Sequence, residues 1–142
     1  MSYYYGEQYL QGKRLKTVIR RTVKLLRDKN IKFDTIAVKG NSGMLIGPSL
    51  AMEMNKSLLI IRKPAERNHS YNKVEGWGHN QRILILDDFI ASGKTIESMI
   101  KSINDYCATP TIVAITLYAC YKPGTTYKET YEYPVYTVKR IK

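Results

Sequence analysis

Cysteine, histidine and tryptophan are all scarce in this chain: its 142 residues include two, two and one of them. Cys107 and Cys120 form no C-x-x-C pair and sit in apolar segments. They read as reduced core thiols of a cytoplasmic protein, ahead of a disulfide or a metal site. No apolar run approaches the ~18 residues that a membrane span needs. The opening Met1-Ser2-Tyr3-Tyr4-Tyr5-Gly6 has neither a basic flank nor an apolar core, so it does not read as a signal peptide. No internal repeat or low-complexity stretch stands out.

The composition that remains is ordinary for a globular chain, 44% hydrophobic and 25% charged. The length suits one domain over residues 1–142. A chain of this size buries roughly 68–70% of its unfolded surface, enough for its own core. Its charge is lopsided, with 23 Lys and Arg against 12 Asp and Glu, a net +11. That excess attracts phosphates, on a small molecule or on a nucleic acid. Much of it lies on one expected helix over 12–29. There Lys13, Lys16, Arg20, Lys24 and Arg27 recur at helical spacing, opposite Leu15, Val18, Ile19, Thr22, Leu25 and Leu26. A solvated helix face is the simpler reading of the stripe. RNA binding is the sharper one, and it is not favoured.

After that helix, strands alternate with helices. Asp34 to Val38 reads as a strand running into a small-residue turn, Lys39-Gly40-Asn41-Ser42-Gly43. A helix follows to about Asn55, with Leu45, Ile46, Leu50, Ala51 and Met54 on its inner side; Pro48 fits it only in a first turn. Leu58 to Ile61 and Ile83 to Leu86 are further strands. Residues 63–81 are polar and without period, as functional loops are. Ile96, Met99, Ile100, Ile103 and Cys107 mark one helix face, Thr111 to Tyr118 is a strand buried on both sides, and Val135 to Val138 is a fifth strand. The alternation predicts an α/β fold, a single-domain parallel sheet flanked by helices. Ligands of such sheets bind beyond the carboxyl ends of the strands, which selects 39–43, 62–81 and 87–95.

The third of these carries the most chemistry. A buried strand ends in Asp87-Asp88, and Phe89-Ile90-Ala91-Ser92-Gly93-Lys94-Thr95 leads into a helix. Free backbone N–H groups, the helix N-terminus and the Ser92 and Thr95 hydroxyls make an anion site suited to phosphate. Two acids beside it would repel phosphate unless they hold something else, such as ribose hydroxyls or hydrated Mg²⁺. The features together describe a sugar-phosphate site. Gly93-Lys94-Thr95 also imitates the end of a Walker A loop. The first glycine of that motif would fall on Asp88, whose charge would keep phosphates away.

The segment resembles the PRPP motif of type I phosphoribosyltransferases: four apolar residues, two acids, then a T/S-G-x-T turn. Val38 to Gly43 is similar to that family's pyrophosphate loop, and Ile60-Ile61-Arg62-Lys63-Pro64 to its strand ending in Arg-Lys. His69-Ser70 and Glu75-Gly76 fall where the family has a mobile catalytic loop, here 64–80. The resemblance covers a core of about 31–120. It implies the type I phosphoribosyltransferase fold with a minimal hood, and Mg²⁺-dependent transfer of phosphoribosyl from PRPP to a purine or orotate-like base.

Residue by residue, the resemblance implies that Asp87 and Asp88 hold the ribose hydroxyls, with Mg²⁺ mostly through those hydroxyls or water. Ala91, Ser92, Gly93, Lys94 and Thr95 would take the 5′-phosphate. Lys39, Gly40, Asn41, Ser42, Arg62 and Lys63 would contact pyrophosphate. Arg67 and His69 would act from the loop, with Lys73 a weaker candidate. Ala91 stands where hypoxanthine-guanine members carry an acid, which argues against that subgroup. Trp77 packs the loop or stacks on a base, and His79 reads as structural or exposed. The tyrosines of both ends, among them Tyr3, Tyr9, Tyr131 and Tyr136, suit base stacking or a dimer interface. A homodimer is implied by analogy. The alternative is a non-catalytic regulator on the same fold that senses PRPP or nucleotide and binds RNA or protein.

Overall fold

The computed structural model describes residues 10–63, 74–90, 92–119 and 131–138. The elements run α1 (Gly12–Asp28), β1 (Thr35–Lys39), α2 (Gly40–Met54), β2 (Ser57–Ile61), β3 (Val74–Gly76), β4 (Arg82–Asp87), α3 (Lys94–Tyr106), β5 (Thr111–Leu117) and β6 (Val135–Thr137). They form a six-stranded sheet of order β3-β2-β1-β4-β5-β6. Every neighbouring pair is parallel except β2 and β3, which run antiparallel.

Strand alternation splits the core into two layers. Ile36 and Val38 of β1 and Leu84 and Leu86 of β4 pack with Val18 and Leu26 of α1 and Ile46 and Leu50 of α2. Ala37, Ile83 and Ile85 point the other way, onto Ile96, Met99 and Ile103 of α3. Each large aliphatic side chain buried in this way contributes roughly 1.5–3 kcal/mol. With both faces covered, the central strands read as unbroken apolar runs.

The expected turn at 39–43 is not a loop. The chain leaves β1 at Lys39 and is helical from Gly40, which carries φ +68°. One residue in the left-handed region makes the whole corner. Beyond it α2 lies very close to β1: a Cβ at Gly43 would sit 2.7 Å from Cβ of Val38, and one at Gly47 2.7 Å from its Cγ1. Pro48 stands inside α2, not in its first turn. Its missing N–H removes one rung of the helix, which the packing of Ile46, Leu50 and Ala51 outweighs.

Of the long polar stretch, residues 74–81 are described, and they are tied to the sheet. Val74–Gly76 adds an antiparallel edge strand to β2. The turn after it is tied to the end of α3: Asn80 N–H donates to the Ala108 carbonyl (2.8 Å), and Ala108 N–H to His79 Nδ1 (2.9 Å). His79 is therefore a structural acceptor on the surface, tilted against Tyr106 at 5.4 Å between ring centroids. At the amino end of the sheet Arg82 grips the Asp34 carboxylate through its N–H (2.9 Å), Nε (3.1 Å) and Nη2 (2.9 Å). Those hydrogen bonds hold the Asp34 carboxyl down at about 2.

Candidate active site

From β1 the chain runs outward to β2 and β3, then returns to place β4, β5 and β6 on the other side of β1. The order reverses between β1 and β4, and open α/β sheets take their ligands at the carboxyl ends of such a pair. β1 delivers Lys39 and the start of α2 to that crevice, and β4 delivers Asp87 and Asp88.

The two acids are almost wholly enclosed, Asp87 at 4% and Asp88 at 6% exposure. Asp87 Oδ1 accepts from Ser42 Oγ at 3.1 Å and from the Asp88 N–H at 2.9 Å. Asp88 Oδ1 accepts from the Phe89 N–H at 2.8 Å. The end of β5 fixes their backbone, because the Tyr118 and Ala119 N–H groups donate to the Asp87 and Asp88 carbonyls at 3.1 and 2.8 Å. Tyr118, fully buried, also sends its hydroxyl to the Ser42 carbonyl. One side chain thus links the acid pair to the first turn of α2.

Burial pushes Asp87 up to about 7, and the neighbouring Asp88 charge adds to the rise. Burial raises Asp88 as well, against the Phe89 N–H, the Asp87 side chain and the Lys63 charge. Two buried carboxyls side by side, short of compensating charge, suit a guest that brings hydroxyl donors or a cation. A divalent ion fits here through water and the guest's hydroxyls rather than through a full protein cage, since the described residues hold no cluster of three or more metal-binding side chains.

Positive charge comes from neighbouring strand ends. Lys63 lies over Gly40, where an added Cβ would be 2.6 Å from its Cε and 3.1 Å from its Nζ. Lys39 Nζ donates to Ser98 Oγ at 2.5 Å, and Ser98 Oγ donates to the Thr95 carbonyl at 3.0 Å. The β1 lysine is thereby anchored to the first turns of α3. Arg62 is placed differently from Lys63: it pairs with Glu75 of β3 at 2.8 Å. Asn41 is exposed in the first turn of α2, and Ser42 half-buried beside it.

The turn before α3 is built around its glycine. Gly93 caps α3 with φ +85°, a conformation that favours glycine. Ser92, Lys94 and Thr95 are exposed, and Ser92 Oγ accepts the Lys94 N–H at 3.3 Å. A glycine cap has no side chain to occupy the first-turn N–H groups that follow Lys94, and helix N-termini of this kind suit anions. An added Cβ at Gly93 would meet the Tyr131 hydroxyl at 2.7 Å, so Tyr131 covers this turn.

Ser42, Asp87, Asp88, Gly40 and Lys63 are therefore brought together, and Lys39 joins Thr95 through Ser98. Arg67, His69, Lys73 and Ala91 lie outside the described residues. Sequence reasoning missed Tyr118, Ser98 and the covering role of Tyr131. Tyr118 had a visible signal, a phenol ending a buried strand, but the other two depend on distant contacts.

The profile of the phosphoribosyl transferase domain matches residues 6–142. The chain belongs to that family. A relative in it, the transcriptional regulator GfcR of Methanocaldococcus jannaschii, is 28% identical over 109 residues, covering 72% of this chain and 52% of the relative. Adenine phosphoribosyltransferase of Rhodopirellula baltica is 32% identical over 85 residues, 49% of this chain and 41% of the enzyme. This chain thus spans about half the length of these curated family members. The crystal structure of adenine phosphoribosyltransferase from Thermoanaerobacter pseudethanolicus superposes with a TM-score of 0.71 at 21% identity, over 92% of this chain and 83% of that one. The shared fold is the family's mostly parallel sheet with helices on both faces. Among the described residues no helix is long and apolar enough to cross a membrane.

Proposed function

We propose that the chain transfers the phosphoribosyl group of PRPP to a nitrogenous base, with release of pyrophosphate. The observation that carries this reading is the enclosed acid pair at the sheet's reversal point, followed in the chain by a glycine-capped helix N-terminus. Asp87 and Asp88 accept hydrogen bonds from the ribose 2′- and 3′-hydroxyls, and Ser42 holds Asp87 in place for them. The N–H groups and hydroxyls of Ser92 to Thr95 take the 5′-phosphate. Lys39, Gly40 and Lys63 meet the pyrophosphate, with Asn41 and Arg62 at the margin. As the bond from C1′ to the pyrophosphate oxygen breaks, a ring nitrogen of the base bonds to C1′. Negative charge grows on the leaving pyrophosphate, and fixed cations aimed there favour the transition state over the ground state. Mg²⁺, bound with the sugar, supplies further charge neutralisation at that group. Arg67 and His69, outside the described residues, enter this reading through the sequence resemblance alone, as does a homodimer.

Adenine is the first acceptor to test, since the Rhodopirellula relative carries that name; orotate, uracil, guanine, hypoxanthine, xanthine and nicotinate complete the panel. The expected result is base-dependent pyrophosphate release from PRPP with Mg²⁺. Asp87→Asn with Asp88→Asn is expected to lose Mg²⁺-dependent PRPP binding while keeping the circular dichroism of the fold. Unchanged PRPP affinity in that double variant would refute the site. The GfcR relative favours a second reading, a non-catalytic sensor: PRPP binding with no release across the panel would select it.

A further inference from the structure

The net charge is not spread evenly over the surface. α1 carries seven Lys and Arg against a single acid, Asp28, whereas α3 carries two of each sign. Lys16, Arg20, Lys24 and Arg27 stand about one turn apart on α1. They line a trough of about 560 Å³ whose other wall is α2, with Ser49 and Glu53. Arg27 also lines a second hollow of about 310 Å³ that continues the cationic track to Lys32 and Lys56. Lys56 is held there over the Phe33 ring, at 5.0 Å from its centroid.

A ladder of cations at regular spacing matches a repeating anion rather than one phosphate. The trough has no enclosed polar group to fix a small ligand, and its cations are exposed. A single strand can follow this ladder with its phosphates and still turn its 2′-hydroxyls to the α2 wall. Glu53 and Ser49 decide between the two sugar types. A carboxylate in a cation-lined trough repels phosphate but accepts hydrogen bonds from 2′-hydroxyls, which RNA has and DNA lacks. Asp28 pairs with Lys24 at 2.5 Å, an exposed contact that a phosphate can replace at Lys24.

We infer that the α1–α2 trough binds single-stranded RNA through its phosphates and 2′-hydroxyls. The trough shares no lining residue with the acid pair or with the residues that contact it. The inference is therefore independent of the reaction proposed there.

Anisotropy of a labelled mixed-sequence RNA 12-mer, titrated with the full chain, tests it. With four phosphates engaged, log K is expected to fall against log salt with a slope of about −3, roughly a 50-fold loss between 50 and 200 mM. Changing Lys16, Arg20, Lys24 and Arg27 together to Gln is expected to weaken binding more than about tenfold and flatten the slope towards zero. PRPP binding and circular dichroism should stay as in the parent. If the fourfold variant does not fold, K16Q/R20Q and K24Q/R27Q should each remove about half of the slope. Glu53→Ala should erase the preference for RNA over DNA of the same sequence. No binding at 50 mM salt, or equal binding by the fourfold variant, would overturn the inference. So would equal affinity for single-stranded DNA or polyglutamate in the parent chain. A shift from dimer to monomer in the fourfold variant, with no RNA bound by either form, would reassign the trough to contact between copies.

Discussion

Ser42 has the most direct leverage on the acid pair. Its hydroxyl donates to Asp87 Oδ1 at 3.1 Å and so favours the charged carboxylate. In Ser42→Ala that donor is gone, and the Asp87 titration should rise above its present position near 7. The acid limb of the pH profile for PRPP binding is expected to move upward, with affinity recovered at high pH. An unmoved limb would show that Ser42 does not govern the pair. The acids themselves, the Ser92–Thr95 turn and Lys63 were all legible in the sequence, because each belongs to a short contiguous motif. Arg62 was not fully so. Its partner Glu75 comes from a three-residue strand, too short to show a period. Tyr131 meets Gly93 across nearly forty residues of chain, a contact no local pattern announces.

At the scale of elements, the site depends on how closely α2 lies on β1. A Cβ at Gly43 would stand 2.7 Å from the Val38 Cβ, and neither backbone can yield easily. Gly43→Ala should push the first turn of α2 away from β1, carrying Ser42 off Asp87. A loss of about 1–3 kcal/mol is expected from overpacking of this kind. Urea unfolding measures that loss, and PRPP affinity should fall with it. Stability and affinity both at parental values would mean that the helix can shift without consequence. The order of strands and helices was readable from apolar runs and helical spacing. The corner at Gly40 was read as a turn because the four small residues Gly40-Asn41-Ser42-Gly43 look like one. A helix started by a single left-handed glycine has the same composition.

For the molecule as a whole, two carboxyls pull stability in opposite directions with pH. Burial pushes the folded Asp87 up to about 7, against 3.8 for a free aspartate. Its contribution is present below about 4 and is lost as pH rises through 7. Asp34 titrates near 2 when folded, so its contribution is present above about 4 and fades as pH falls through 2. Its grip on Arg82 is partly exposed, at 34% and 51% for the two side chains, so solvent screening keeps its effect small. Without ligand, urea midpoints should be highest near pH 4–5 and decline towards pH 8. Asp87→Asn should remove most of that decline and raise stability at pH 8 by about 2 kcal/mol. A flat profile in the parent chain would show that the pair is better solvated than its enclosure suggests. The parallel sheet and its reversal point were foreseeable at this scale, because alternating strands and helices admit few arrangements. The cationic trough was legible only as a stripe on one helix, since its second wall belongs to α2.

The enclosed acid pair also makes the protein a source of acid. At neutral pH part of the pair still carries a proton, and a guest that requires both carboxylates must expel it. Titration calorimetry of Mg²⁺ and PRPP at pH 7 should therefore give heats that depend on the ionisation enthalpy of the buffer. In weakly buffered solution a glass electrode should record filling of the site as a fall in pH, which D87N/D88N should abolish. The same experiment at pH 9 should release almost nothing, because the pair is already bare before the guest arrives.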